Sequence, residues 1–128
     1  MNDYKTYSIA LNKCVFDTIK MREDFSDEHK EVLDKSLINR MYYALYNRLV
    51  TELEEVQNTT ANKHKQIYDI LTKQSSNREI ERVKDVFEDM KRLREWADYK
   101  PYYPTPPYNL NTLQEKVYKI ISREKIFN

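Results

Sequence analysis

The sequence has no glycine in 128 residues, where average usage is about 7%. Dinucleotide-binding fingerprints, phosphate-cradling loops and tight primed hairpins all rely on glycine, for positive φ or for close backbone approach. None of these can organise this chain. Cysteine is nearly as scarce. A single Cys14 permits neither an internal disulfide nor a cysteine zinc cage, and the role expected for it is that of a small core residue. No apolar run approaches the roughly 20 residues of a membrane span, and no signal peptide is visible. A cytoplasmic protein without membrane contact is therefore expected. An excess of one charge is also missing, since 22 basic and 21 acidic side chains leave a net charge of +1. Generic polyanion binders are more basic than this. Any nucleic-acid contact must come from a local patch or from a second protomer.

What is present reads as helix from end to end. Residues 4–21 carry an approximate apolar face of Ile9, Leu11, Cys14, Val15 and Ile19. Ser26 precedes Asp27 and Glu28, a capping residue followed by acids that suit the helix dipole, and the helix it opens runs to about 56. "QNTTAN" (57–62) interrupts with poor helix formers. A short helix over about 63–74 presents Ile67, Ile70 and Leu71. "QSSN" (74–77) offers Ser76 or Asn77 as the next cap. A fourth helix, about 78–97, repeats Ile80, Val83, Phe87 and Met90, and the same spacing continues to Arg94 and Ala97. "YKPYYPTPPYN" (99–109) holds all four prolines and cannot be helical. A last helix, about 110–124, carries Leu113, Val117, Ile120 and Ile121. With no repeat and no boundary, the expectation is one all-α domain over 1–128: a bundle of four or five mostly antiparallel helices joined by short connections.

Polar side chains intrude in two places. Arg40, Tyr43 and Asn47 share a stripe of the second helix, and Arg94 and Asp98 share a face near the end of the fourth. One reading makes Arg40 and Asp98 a structural ion pair across the helix seam. The other makes Arg40, Asn47, Arg94 and Tyr99 the lining of a cleft for a phosphate-bearing ligand. Guanidinium forks fit phosphate oxygens, and tyrosines stack on unpaired bases.

"SLINRMYYALYNRL" (36–49) resembles the second helix of HEPN domains, with its Asn-Arg-x-Tyr-Tyr-Ala pattern. "LREWADYKP" (93–101) resembles their late-helix signature of an arginine followed by Ala-Asp-Tyr-x-Pro. His64 in "NKHKQI" stands where relatives often have a helix-starting histidine. The resemblance spans about 36–101. It implies a small, commonly dimeric helical bundle. It also implies RNA as the partner, in a toxin–antitoxin, CRISPR or other phage-defence setting, or a partnership with a minimal nucleotidyltransferase or an antitoxin. In the nuclease members an arginine and a nearby histidine cut RNA without a metal. Here Arg94 is followed by Glu95, Trp96, Ala97, Asp98 and Tyr99, with no histidine. Histidine suits proton transfer near neutral pH, and an unperturbed tyrosine, with a pKa of about 10, does not. The resemblance therefore carries RNA binding further than metal-independent endoribonuclease activity, for which Arg94 and then Tyr99 are the catalytic candidates.

The RNA-binding candidates are Arg40, Tyr43, Asn47 and His64. A competing reading leaves His64 solvated between Lys63 and Lys65. His29 with Glu28 and Glu31 lacks a closed ligand count for a metal, and no cofactor is called for. "PYYPTPP" (101–107) contains Pro-x-x-Pro twice, though packing along the bundle is the simpler role. The charge run over 78–95 reads as a solvated helix face. Lys116, Lys119, Arg123 and Lys125 make the last helix basic, for RNA backbone contact or as complement to the helix dipole. Tyr42 and Tyr46 lie off the leucine face of the second helix, and this implies a homodimer.

Overall fold

The computed structural model describes residues 4–56, 63–99 and 107–127. These form five α-helices: α1 (Tyr4–Ile19), α2 (Asp27–Val56), α3 (Lys63–Lys73), α4 (Arg78–Tyr99) and α5 (Leu110–Ile121). There is no strand among the described residues. The helices therefore follow the periodicity closely. The differences lie at the ends: α1 stops at Ile19 and passes into a 3-10 turn over Arg22–Asp24, α4 continues to Tyr99, and α5 ends at Ile121. The connections 57–62 and 100–106 lie outside the described residues.

Local chemistry explains the starts. Ser26 Oγ accepts from the His29 amide at 3.3 Å, opening α2. Asn77 Oδ1 accepts from the Glu79 amide at 2.9 Å, opening α4. Asn109 Oδ1 accepts from the Thr112 amide at 3.0 Å, opening α5. Each satisfies an amide that would otherwise be orphaned at a helix start.

α2 is the axis of the bundle and touches all four other helices. Its leucine stripe of Leu37, Met41, Leu45 and Leu49 joins Val83, Phe87 and Met90 of α4 and Val117, Ile120 and Ile121 of α5 in one core. α3 packs mainly on α4 and brings Ile67 and Leu71 into that core. No helix among the described residues is long and apolar enough to cross a membrane.

Two expectations change. Cys14 is exposed and not part of the core. The inward stripe of α1 is Ser8, Asn12 and Val15, at i, i+4 and i+7, and Cys14 sits about 100° round from Val15. Tyr42 is 0% exposed within the single chain and Tyr46 is partly buried against the core. The tyrosines that suggested a second copy are thus covered from within.

Two polar ties fasten the ends of the bundle. Asp34, buried on α2, receives the Arg22 guanidinium through Nε at 2.7 Å and a second nitrogen at 2.9 Å. It also accepts from the Tyr108 hydroxyl at 2.8 Å. Burial and that carboxylate push the Tyr108 phenol up to about 12. Near the other end of α2, Arg48 donates to the carbonyls of Arg123 at 2.9 Å and Glu124 at 3.3 Å. Glu52 accepts from the amides of Ile126 at 2.9 Å and Phe127 at 3.0 Å. The pair so reads the backbone of the chain after α5, and the Ile126 and Phe127 side chains are buried below it.

Candidate functional site

The site begins with the placement of Arg94. Met90 and Leu93 of α4 are buried, so the next turn of the same face carries the guanidinium toward α2. There it meets aromatic rings and not only a carboxylate. Its carbon lies 5.1 Å from the centroid of Tyr42 and 5.7 Å from that of Tyr43, within cation–π reach. Nε stands 3.3 Å from Asp98 Oδ2, one turn along the helix. The guanidinium charge also favours the ionised form of the Tyr42 hydroxyl. About a quarter of the side chain, 23%, reaches solvent.

Tyr42 then connects α4 to α3. Its hydroxyl oxygen lies 2.6 Å from His64 Nδ1, the nearer of the two ring nitrogens. The imidazole stacks on Tyr46, with centroids 4.6 Å apart, and lies nearly parallel to Tyr42 at 5.8 Å. Tyr43 meets Tyr42 edge-on at 5.3 Å. Arg94, Tyr42 and His64 thus form a chain across three helices, enclosed by Tyr43, Tyr46 and Phe87.

Protonation states follow from this arrangement. Burial drives the Tyr42 hydroxyl well above the ordinary phenol range, and the Arg94 charge opposes that only in part. Tyr42 therefore keeps its proton. Burial, then the Arg94 charge, then the Lys91 charge hold the His64 imidazole below its usual value. Histidine ordinarily titrates near about 6.5, so His64 is neutral at pH 7. The same hydroxyl oxygen also stands 3.3 Å from His64 Nε2, so Tyr42 faces the nitrogen edge of the ring.

The expected pairing of Arg40 with Asp98 is corrected. Asp98 accepts from Asn39 Nδ2 at 3.1 Å and faces Arg94. Arg40 is exposed, and no ion pair links it to Asp98 among the described residues. Adjacent residues of an α-helix point about 100° apart, and Asn39 is the one that faces α4. The cation of the pair comes from the carboxylate's own helix. Tyr43 is 39% exposed beside Arg94, while Asn47 is half-buried. Tyr99 ends α4, and its side chain lies outside the described residues. His64 is half-buried against two tyrosines rather than solvated.

Tyr42 and Asn39 are site residues beyond the candidates that the sequence offers. One signal was available: Ile38, Met41, Tyr42, Leu45 and Leu49 fall at i, i+3, i+4, i+7 and i+11, the core stripe of a helix. A tyrosine on that stripe must find a partner for its hydroxyl. Asn39 is three residues from Tyr42 and seven from Tyr46, on the neighbouring stripe.

Beside this cluster a cleft of about 490 Å³ opens between α3 and α4. It is lined by His64, Lys65 and Tyr68 of α3 and by Phe87, Glu88, Lys91, Arg92 and Glu95 of α4. Among the described residues, no three His, Cys, Asp or Glu side chains gather to hold a metal ion. No protein-family model matches the chain, and no curated protein or solved structure matches it.

Proposed function

We propose that this helical bundle is a HEPN-like RNA-binding protein of a prokaryotic defence or toxin–antitoxin system, acting as a homodimer, with Arg94 at the centre of its RNA contact. The observation that supports this reading is the Arg94–Tyr42–His64 chain. It is a partly exposed guanidinium held by a buried tyrosine and joined to a neutral histidine. Guanidinium groups bind phosphate oxygens by paired charge-assisted hydrogen bonds, and exposed Tyr43 beside it offers a ring to an unpaired base. The near-neutral net charge of the chain restricts the contact to such a local patch.

Metal-independent RNA cleavage is the stronger form of the proposal. It needs a group to take the 2′-hydroxyl proton and another to stabilise the phosphorane. Arg94 suits the second task. For the first task the candidate is the His64 ring nitrogen that Tyr42 does not engage, supplied by α3 in place of a histidine following Arg94 on α4, in the tautomer that leaves that nitrogen unprotonated. A second reading, a non-catalytic accessory subunit partnering a minimal nucleotidyltransferase, draws on Asp98, whose contacts with Asn39 and Arg94 tie these polar groups into the α2–α4 seam.

The test is a titration of fluorescent single-stranded RNA with wild type and Arg94→Ala, with cleavage scored on the same samples in the presence of chelator. Loss of a charge-assisted contact of about 1.5–3 kcal/mol predicts binding weaker by about ten- to a hundredfold. Equal affinity of the two proteins would remove Arg94 from the contact. Binding without cleavage would keep the RNA-binding reading and remove its cleavage form, and no RNA binding by either protein would favour the accessory reading.

A further inference from the structure

We propose that the α3–α4 cleft is a nucleotide pocket that selects bases bearing an exocyclic amino group, with Tyr68 as the stacking ring, Lys91 for the phosphate and Glu88 and Glu95 as acceptors for the base. This deepens the RNA-binding reading and rests on it.

The pocket argues for a mixed ligand. Its volume of about 490 Å³ lies within the about 300–1,000 Å³ of small-ligand sites. Tyr68 lines it and is 44% exposed. Lys84 Nζ stands 5.2 Å above the Tyr68 ring and does not line the cleft, so the cation reinforces the ring from outside. Such a ring is a platform for a base. His64 also lines the cleft, held against the Tyr42 hydroxyl at 2.6 Å. Lys65, Lys91 and Arg92 line the cleft with positive charge, and Lys91 shares a helical face with Glu88 and Glu95. The lining therefore carries both signs, three cations and two carboxylates. A nucleotide uses both signs: its phosphate meets Lys91 while amino groups of cytosine, adenine or guanine donate to a carboxylate. Uracil, which presents carbonyl acceptors where cytosine has its amino group, gains less from Glu88 and Glu95.

The experiment uses the full chain. Imidazole signals of His64 are followed by NMR on adding cytidine or uridine 5′-monophosphate, and binding of decameric oligo(C) and oligo(U) is measured by anisotropy. Cytidine monophosphate is expected to shift the His64 signal more than uridine monophosphate does. Oligo(C) is expected to bind about tenfold tighter than oligo(U), as one discriminating contact allows. Glu88→Gln/Glu95→Gln should erase that preference. Tyr68→Ala, at an exposed position, should weaken both oligomers. Tight RNA binding without a preference, or with one that survives the double substitution, overturns the pocket and leaves the RNA reading standing. Mononucleotide shifts at His64 without binding of either oligomer keep the pocket and overturn the RNA reading. Neither shift nor binding overturns both.

Discussion

Burial and two cations act on the His64 imidazole in the same direction, and all three favour its neutral form. The consequence for stability has a definite sign. The unfolded chain protonates this histidine near about pH 6.5, the folded chain only at lower pH. Between the two values the unfolded state binds more protons, so stability rises with pH there. The contribution is intact above about pH 6.5, declines as pH falls toward the folded pKa, and levels off below it. Chemical denaturation between pH 5 and 8 should follow that course in wild type, and His64→Asn should flatten it. An unchanged pH profile in the variant would mean that the imidazole is not held neutral by its surroundings. His64 was the least legible residue of the site. His64 does continue the stripe of Ile67 and Leu71, at i, i+3 and i+7, but only the docking of α3 beside Tyr42 and Tyr46 reveals what covers it.

At the scale of elements, the end of α2 and the chain after α5 depend on one buried ion pair. Arg48 and Glu52 have side chains only 6% and 8% exposed. Arg48 donates to two carbonyls through Nη2, and Glu52 accepts two backbone amides. Removing one member of a buried pair costs roughly 3–5 kcal/mol, and Glu52→Ala should fall in that range. Glu52→Gln keeps an acceptor for the amides and should cost less. Replacing both members with apolar residues should not restore stability, because the amides of Ile126 and Phe127 would remain without an acceptor. Urea unfolding of the three variants checks this ranking, and full recovery in the double variant would contradict it.

The same helix shows which side of a sequence argument holds. The extent of α2 was legible, because Ser26 caps its start and the leucine stripe runs its length. The pairing of Arg40 with Asp98 was not. An i, i+4 pattern tells which residues share a face, but not which face of one helix meets another, and a shift of one position replaced Arg40 with Asn39. Cys14 failed in the same way, one position from the buried stripe of α1.

For the whole molecule, the all-helical bundle was legible because missing glycine, clear periodicity and capping residues all point the same way. Assembly was less so. Tyr42 and Tyr46 are enclosed within one chain, so the case for a homodimer now rests on apolar side chains left in solvent. Met21 and Phe25 lie between α1 and α2, Val32 is 68% exposed on α2, and Phe16 is 40% exposed on α1. Light scattering at tens of micromolar should give twice the mass of the 15.6 kDa chain, and Val32→Lys should reduce the dimer. A monomer mass in wild type would place these side chains outside any self-interface.

Two regions could meet RNA: the Arg94 face, and the basic end of α5 with Lys116, Lys119 and Arg123. Backbone amide NMR of the full chain, titrated with single-stranded RNA, separates them. Perturbations are expected to concentrate on residues 39–46 of α2, the start of α3 and residues 87–98 of α4, and to be lost in Arg94→Ala. Perturbations confined to α5 and the chain after it, or none at saturating RNA, would contradict that expectation.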